Sequence, residues 1–233
     1  MHRSELSHIL IQAYIMSRYI SSHLAPLQPE TRCIELGSGS GLVGMTAWLA
    51  GADVVLTELP GKFVEHLETN VSRNVAKLSG SHGNSNGGGV VEGSSPEILR
   101  EGNIQVHPLD WNNPPTPPSP PYDLILGSEI LYLPHLHRSL VRTLNALCHP
   151  PDSARMTTVL MVYKERGLGE EAFFEWAKRL GGFEVEWVGI IFPEFARLRE
   201  FDVGNARIPQ EHIDPEFQSQ PYCMFMMRKG RKS

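Results

Sequence analysis

Cysteine is scarce in this chain. Three cysteines occur in 233 residues, Cys33, Cys148 and Cys223, and none forms a CxxC pair or sits at metal-ligand spacing from a histidine. That pattern excludes a zinc module and a disulfide framework, and it reads as three reduced, buried thiols in a reducing compartment. Long apolar runs are missing too. No stretch approaches the roughly 20 residues that cross a bilayer. The N-terminal MHRSELSHILIQAYIMSRYI carries Glu5 and sets apolar residues at helical spacing, as a core helix does and a targeting peptide does not. Excess positive charge is the third absence: 21 Lys and Arg against 26 Asp and Glu leave a formal net charge of −5. A general nucleic-acid binder draws its affinity from basic residues against phosphates. Neither nucleic acid nor membrane is therefore an expected partner, and the tail Arg228, Lys229, Arg231, Lys232 reads as a solvated end. The ten histidines are scattered; His135 and His137, two apart, do not share a helix face, so no metal is expected.

What remains is the composition of an ordinary folded domain, 41% hydrophobic and 20% charged. The length suits one domain over residues 1–233 with a sizeable core. Such a chain is expected in the cytoplasm, with the nucleus as a second location, and as a monomer.

Along the chain, short apolar strands alternate with helical patterns. A helix is expected over 7–20, with Leu10, Ala13, Tyr14, Ser17 and Ile20 near one face. Strands are expected over 31–36, 52–57, 104–109, 122–127, 157–163, 183–189 and 222–227. Helices are expected over 42–49, 63–78, 136–147 and 170–180; in the second, Phe63, Leu67, Val71 and Val75 recur at i+4 steps. The stretch 79–102 is rich in Gly, Ser and Asn, and 112–121 is rich in Pro; both read as surface insertions. This order predicts a doubly wound, mostly parallel seven-stranded α/β sheet. No helix separates the last two strands, so they should close the sheet as an antiparallel hairpin.

Chemistry gathers at the strand ends. Gly37-Ser38-Gly39-Ser40-Gly41 joins the first strand to a helix, where glycine permits a sharp turn and a ligand close to main-chain N–H groups. Gly39, Gly41 and Gly44 also satisfy a dinucleotide GxGxxG, so at this point a nicotinamide enzyme stays open. Glu35 precedes the loop, and Glu58 closes the second strand, where a carboxylate accepts hydrogen bonds from ribose hydroxyls. Asp110-Trp111 follows the third strand; Ser128, Glu129 and Tyr132 follow the fourth. Open α/β sheets bind ligands at the carboxyl ends of their strands, which is where all of these residues fall.

The run ELGSGSGLVGMTAWLAGADVVLTELP, then NVSRN, LDW and YDLILGSEILY, resembles the seven-β-strand protein methyltransferases called methyltransferase family 16, over about residues 7–190. The resemblance implies an S-adenosylmethionine-dependent methyltransferase of a lysine side chain, with a translation elongation factor or a chaperone as the class of protein substrate. Carried onto this chain, it sets Gly37, Ser38 and Gly39 against the methionine part of the cofactor. Glu58 would hold the ribose, where relatives have Asp; Trp111 would edge the adenine; Ser128 would lie beside the reaction centre. Glu35 completes the expected cofactor set. Glu129 and Tyr132 match the family's D/ExxY motif and are the expected catalytic pair at the amine entry. Two departures accompany it: Leu10 stands where relatives carry a Trp, and the chain starts almost at the first helix. The competing readings are a methyltransferase of small molecules or nucleic acid, a dehydrogenase, and a non-catalytic binding domain.

Overall fold

A computed structural model describes residues 3–80, 103–113, 121–191 and 222–230. Among them seven strands make one sheet: β1 (Arg32–Leu36), β2 (Asp53–Glu58), β3 (Ile104–Pro108), β4 (Leu124–Ser128), β5 (Thr158–Lys164), β6 (Phe183–Ile191) and β7 (Tyr222–Lys229). Their order is β3-β2-β1-β4-β5-β7-β6. The first five in that order run parallel. Strand β7 lies antiparallel between β5 and β6, as the expected closing hairpin.

Five helices cover the sheet: α1 (Arg3–Tyr19), α2 (Leu42–Leu49), α3 (Lys62–Gly80), α4 (His137–Leu147) and α5 (Glu171–Trp176). Because side chains alternate along a strand, each strand supplies two cores. Leu124 and Leu126 of β4, with Leu160 and Val162 of β5, pack toward α1, α2 and α3. Ile125, Val159 and Met161 pack toward α4 and α5. A sheet buried on both faces needs apolar residues at consecutive positions, which is why β4 and β5 read as continuous apolar runs.

Two expectations change. Helix α1 is not one-sided: Ile11, Gln12, Ala13, Ile15, Met16 and Ser17 are all buried, as is Ile20 just after it, whereas Tyr14 is only partly so. It packs against α2 on one side and against β4 and β5 on another, so a single apolar stripe does not describe it. The insertion expected from position 79 begins later, because α3 continues to Gly80. Residues 81–102 and 114–120 lie outside the described residues, as does the side chain of Leu10.

The chain steps outward from β1 to β2 and β3, then crosses back to place β4 on the other side of β1. Between the carboxyl ends of β1 and β4 the loops diverge, and such a switch point is where an open α/β sheet forms its ligand crevice.

Candidate functional site at the β1–β4 switch point

The glycine loop after β1 turns through left-handed backbone at Gly37 (φ +62°), Gly39 (φ +52°) and Gly41 (φ +81°). These conformations favour glycine on steric grounds. A side chain at Gly39 would meet nothing within 4 Å, so open space lies over the loop there. At Gly37 it would lie 3.0 Å from Ile130 and 3.5 Å from the Trp111 ring. Trp111 thus stands beside the loop, half-buried, as a wall of the crevice.

Ser38 is committed to holding the loop. Its Oγ accepts from Thr57 N (3.1 Å) and donates to Glu35 O (3.3 Å), its N–H donates to Thr57 O (2.9 Å), and its carbonyl accepts from Gly41 N (2.8 Å). Glu35 works from beneath. Only 1% exposed, it accepts the Gly44 N–H at 3.0 Å, satisfying a donor in the first turn of α2. Burial pushes its carboxyl up to about 8, against the opposing hydrogen bonds. Both residues therefore act on a ligand through the loop they fix.

Glu58, at the end of β2, is better placed for direct contact. Its Oε2 accepts from Gly39 N (3.0 Å) and its Oε1 from Leu59 N (3.0 Å), so the carboxylate is aimed across the loop with lone pairs to spare. Asp110 does not face the crevice in this way. It closes a turn by accepting from Asn112 N (2.9 Å) and Asn113 Nδ2 (2.8 Å), which sets the position of Trp111 between them.

Beyond β4 the three candidate residues separate. Tyr132 is open, 48% exposed. Burial of part of its ring raises the phenol above the ordinary tyrosine value; Glu58 and Glu129 add to the rise and Arg166 opposes it. Carboxylates from two different strand ends thus act on one phenol. Ser128 is half-buried, and its Oγ is buried with no hydrogen-bond partner among the described residues. Glu129, expected at an open mouth, is instead 7% exposed. Its backbone is left-handed at φ +58°, a conformation that costs a non-glycine residue about 1–2 kcal/mol. The Glu129 N–H donates to Val162 O (2.8 Å), which pins that turn to β5.

The Glu129 carboxylate is the hub of a buried polar cluster that sequence inspection does not reveal. Arg166 forms an ion pair with Oε1, Gln12 Nε2 donates to Oε2, and Lys164 N lies 3.3 Å from the same oxygen. Burial raises the carboxyl above the ordinary range, and Arg166 is the first influence opposing it. Lys164 is fully buried, with Nζ 5.8 Å from the Tyr222 ring centre; burial and Arg166 bring its ammonium down to about 8. Gln12 Oε1 and Tyr222 Oη are buried without partners among the described residues. Gln12 lies on α1, Arg166 after β5 and Tyr222 on β7. No spacing rule links them, and the sequence signal is a glutamine inside the run ILIQAYIM of α1.

Unpartnered buried polar atoms are uncommon because each costs about 1–3 kcal/mol. Gln12 bonds Glu129, and Tyr222 pairs with Lys164 at the end of β5, so these atoms gather at the carboxyl ends of the strands, as the site of a polar ligand would require. Among the described residues no group of three or more His, Cys, Asp or Glu side chains converges as a metal site would.

The family model described as lysine methyltransferase matches residues 4–83 and 93–180. The chain belongs to this family. Its matched segments contain every candidate residue above except Tyr222. The chain is 34% identical to protein N-lysine methyltransferase METTL21A of Danio rerio over 158 residues, 67% of this chain and 60% of that protein. It is 32% identical to EEF1A lysine methyltransferase 3 of Mus musculus over 144 residues, 61% of this chain and 50% of that protein. With EEF1A lysine methyltransferase 3 of Xenopus tropicalis included, the chain spans 44–60% of the length of these relatives. Solved structures share the fold at lower identity. A methyltransferase from Pyrococcus furiosus has a TM-score of 0.54 at 14% identity, covering 94% of this chain and 82% of that one. Magnesium protoporphyrin IX methyltransferase from Synechocystis, solved with bound SAM, has a TM-score of 0.52 at 10% identity, covering 97% and 81%. The Rossmann-like class I methyltransferase fold is thereby established, with the glycine loop at its switch point.

Proposed function

We propose that this protein transfers a methyl group from S-adenosylmethionine to a lysine side chain of a protein substrate. The observation that carries the reading is the convergence of Glu58, the open Gly39 turn, Ser128 and Tyr132 on one crevice, in a chain of the lysine methyltransferase family. Glu58 would take the ribose hydroxyls and the Gly37 and Gly39 main chain the methionine part. Trp111 would border the adenine, and the Ser128 hydroxyl would find its partner beside the reacting centre. When bound, S-adenosylmethionine supplies an electrophilic methyl on a cationic sulfur.

The remaining work falls to the protein's own residues. A free lysine has a pKa of about 10.4, so roughly one in 2,500 is neutral at pH 7, and only the neutral amine has a lone pair to give. Tyr132 and the buried ground around Glu129 would supply a low-dielectric entry that favours the neutral amine. Glu129 would accept a hydrogen bond from that amine and orient it. Held by Glu129 and Tyr132, the amine would take the methyl as the donor's S–C bond breaks and would pass its proton to water. Catalysis on this scheme is chiefly positioning and exclusion of water.

Two relatives are named for EEF1A, so a translation elongation factor is the first substrate to test, with chaperones second. Three buried free cysteines accord with a reducing compartment, and we propose the cytoplasm as its location, with the nucleus second, and a monomer as its state. The test is labelling of a cell lysate with methyl-labelled S-adenosylmethionine, followed by mass spectrometry of the modified protein. A single protein labelled on lysine is the expected result. Label confined to nucleic acid or small molecules would overturn the reading.

A further inference from the structure

Glu129 poses a problem for the scheme above. A lone buried carboxylate next to a lysine would hold it as an ammonium, since an ion pair raises the amine pKa. The structure supplies a remedy in Arg166. An ionised carboxylate offers about four lone-pair directions. Here Gln12 and the Lys164 N–H take the two of Oε2, while Arg166 faces Oε1 as an ion pair and Oε1 itself makes no hydrogen bond among the described residues.

Arg166 is itself held in place. Its Nη1 donates to Lys164 O (3.3 Å) and its N–H to Glu170 Oε1 (3.1 Å), while Leu168 N donates to Glu170 Oε2 (2.8 Å). Glu170 is 2% exposed, and Gly167 and Gly169 take left-handed backbone to close this short loop around it. The loop after β5 is thus built as a mount for one guanidinium.

We propose that Arg166 is a positioning residue for methyl transfer: it neutralises Glu129, keeps it ionised, and leaves acceptor capacity on Oε1 for the incoming amine. This rests on the proposed function. The groups facing Glu129 are Arg166 and Lys164 from the end of β5, Tyr132 from the loop after β4, Tyr222 from β7 and the uncharged Gln12 from α1.

The experiment uses the full chain as wild type, Arg166→Ala and Arg166→Lys, with far-UV spectra and S-adenosylhomocysteine titration to confirm folding and donor binding. Carbon-13 NMR of carboxyl-labelled glutamate, assigned with Glu129→Gln, follows Glu129 directly and apart from Lys164. Loss of the guanidinium should raise the Glu129 midpoint by about one pH unit or more, the usual effect of an adjacent opposite charge. Arg166→Lys should fold and show a smaller rise. Labelled methyl transfer to lysate protein by Arg166→Ala should fall about fivefold one pH unit below the new midpoint, and its ratio to wild type should climb toward one as pH passes that midpoint. An unmoved midpoint in both variants overturns the proposal, as does a ratio that is unity or equally reduced at every pH. Should wild type bind S-adenosylhomocysteine yet label no protein, the proposed function fails first, and the two failures are told apart.

Discussion

At the scale of single residues, Glu58 and Tyr132 should part company in their kinetics. Glu58 is tied to the Gly39 N–H and faces the ligand crevice, so Glu58→Ala should weaken S-adenosylhomocysteine first, by about tenfold or more. Tyr132 is exposed at the outer rim; Tyr132→Ala should lower labelled transfer about tenfold while leaving that affinity nearly unchanged, because contacts made only with the second substrate act on turnover. Titration and labelling on both variants check the pair, and equal loss of affinity would refute the separation. Glu35 offers a test of stability. Its carboxyl titrates near 8 in the fold against about 4.5 ordinarily, so the native state holds a proton that the unfolded chain releases. That contribution is whole below 4.5 and drains away as pH rises to 8, at about 1.4 kcal/mol for each unit crossed. Glu35→Gln has no proton to lose. The Tm of Glu35→Gln relative to wild type should therefore climb between pH 5 and 9; a constant offset would show that Glu35 is ionised in the fold.

Elements position these residues, and two glycines on α2 and its loop show how. Gly44 sits where α2 presses on β2: an added Cβ would come 2.0 Å from Leu56 and 2.8 Å from the Glu35 carboxylate. Gly44→Ala should cost about 1–3 kcal/mol, the usual penalty of overpacking. Gly39 is the opposite case, with open space above it and a left-handed φ. Gly39→Arg should fold with about 1–2 kcal/mol of backbone strain yet lose measurable S-adenosylhomocysteine binding, because its side chain occupies the crevice. Thermal melts and calorimetry on the two variants should give opposite patterns. The β1–α2 and β2–α3 units were legible in advance because each is bounded by glycine or proline and carries a clear period. Helix α1 was not, since a helix enclosed on several sides has no single stripe to read.

For the whole molecule, a ligand that binds only the folded chain stabilises it by mass action. At one hundred times its Kd, S-adenosylhomocysteine should add about 2.7 kcal/mol, which for a domain of this size raises Tm by roughly 5–10 °C. NAD at the same concentration should leave Tm unchanged. The reverse order would return the glycine loop to the dehydrogenase reading that GxGxxG alone leaves open.

The sequence by itself determined the sheet, its parallel core, the closing hairpin and the set of strand ends where a ligand must lie. Those features depend on local period and on glycine, which are visible within a few residues. It also carried the placement of Glu58, Trp111, Ser128 and Tyr132 at strand ends, because each closes a strand or lies within four residues of its end. Only the tertiary structure decided that Ser38 and Glu35 are spent on the loop, and that Glu129 is buried on Arg166 and Gln12. Glu129 and Gln12 are separated by 117 positions. Such a pairing is set by how helix α1 packs over the ends of β4 and β5, and burial and ion pairing are properties of that packing, which no local pattern encodes.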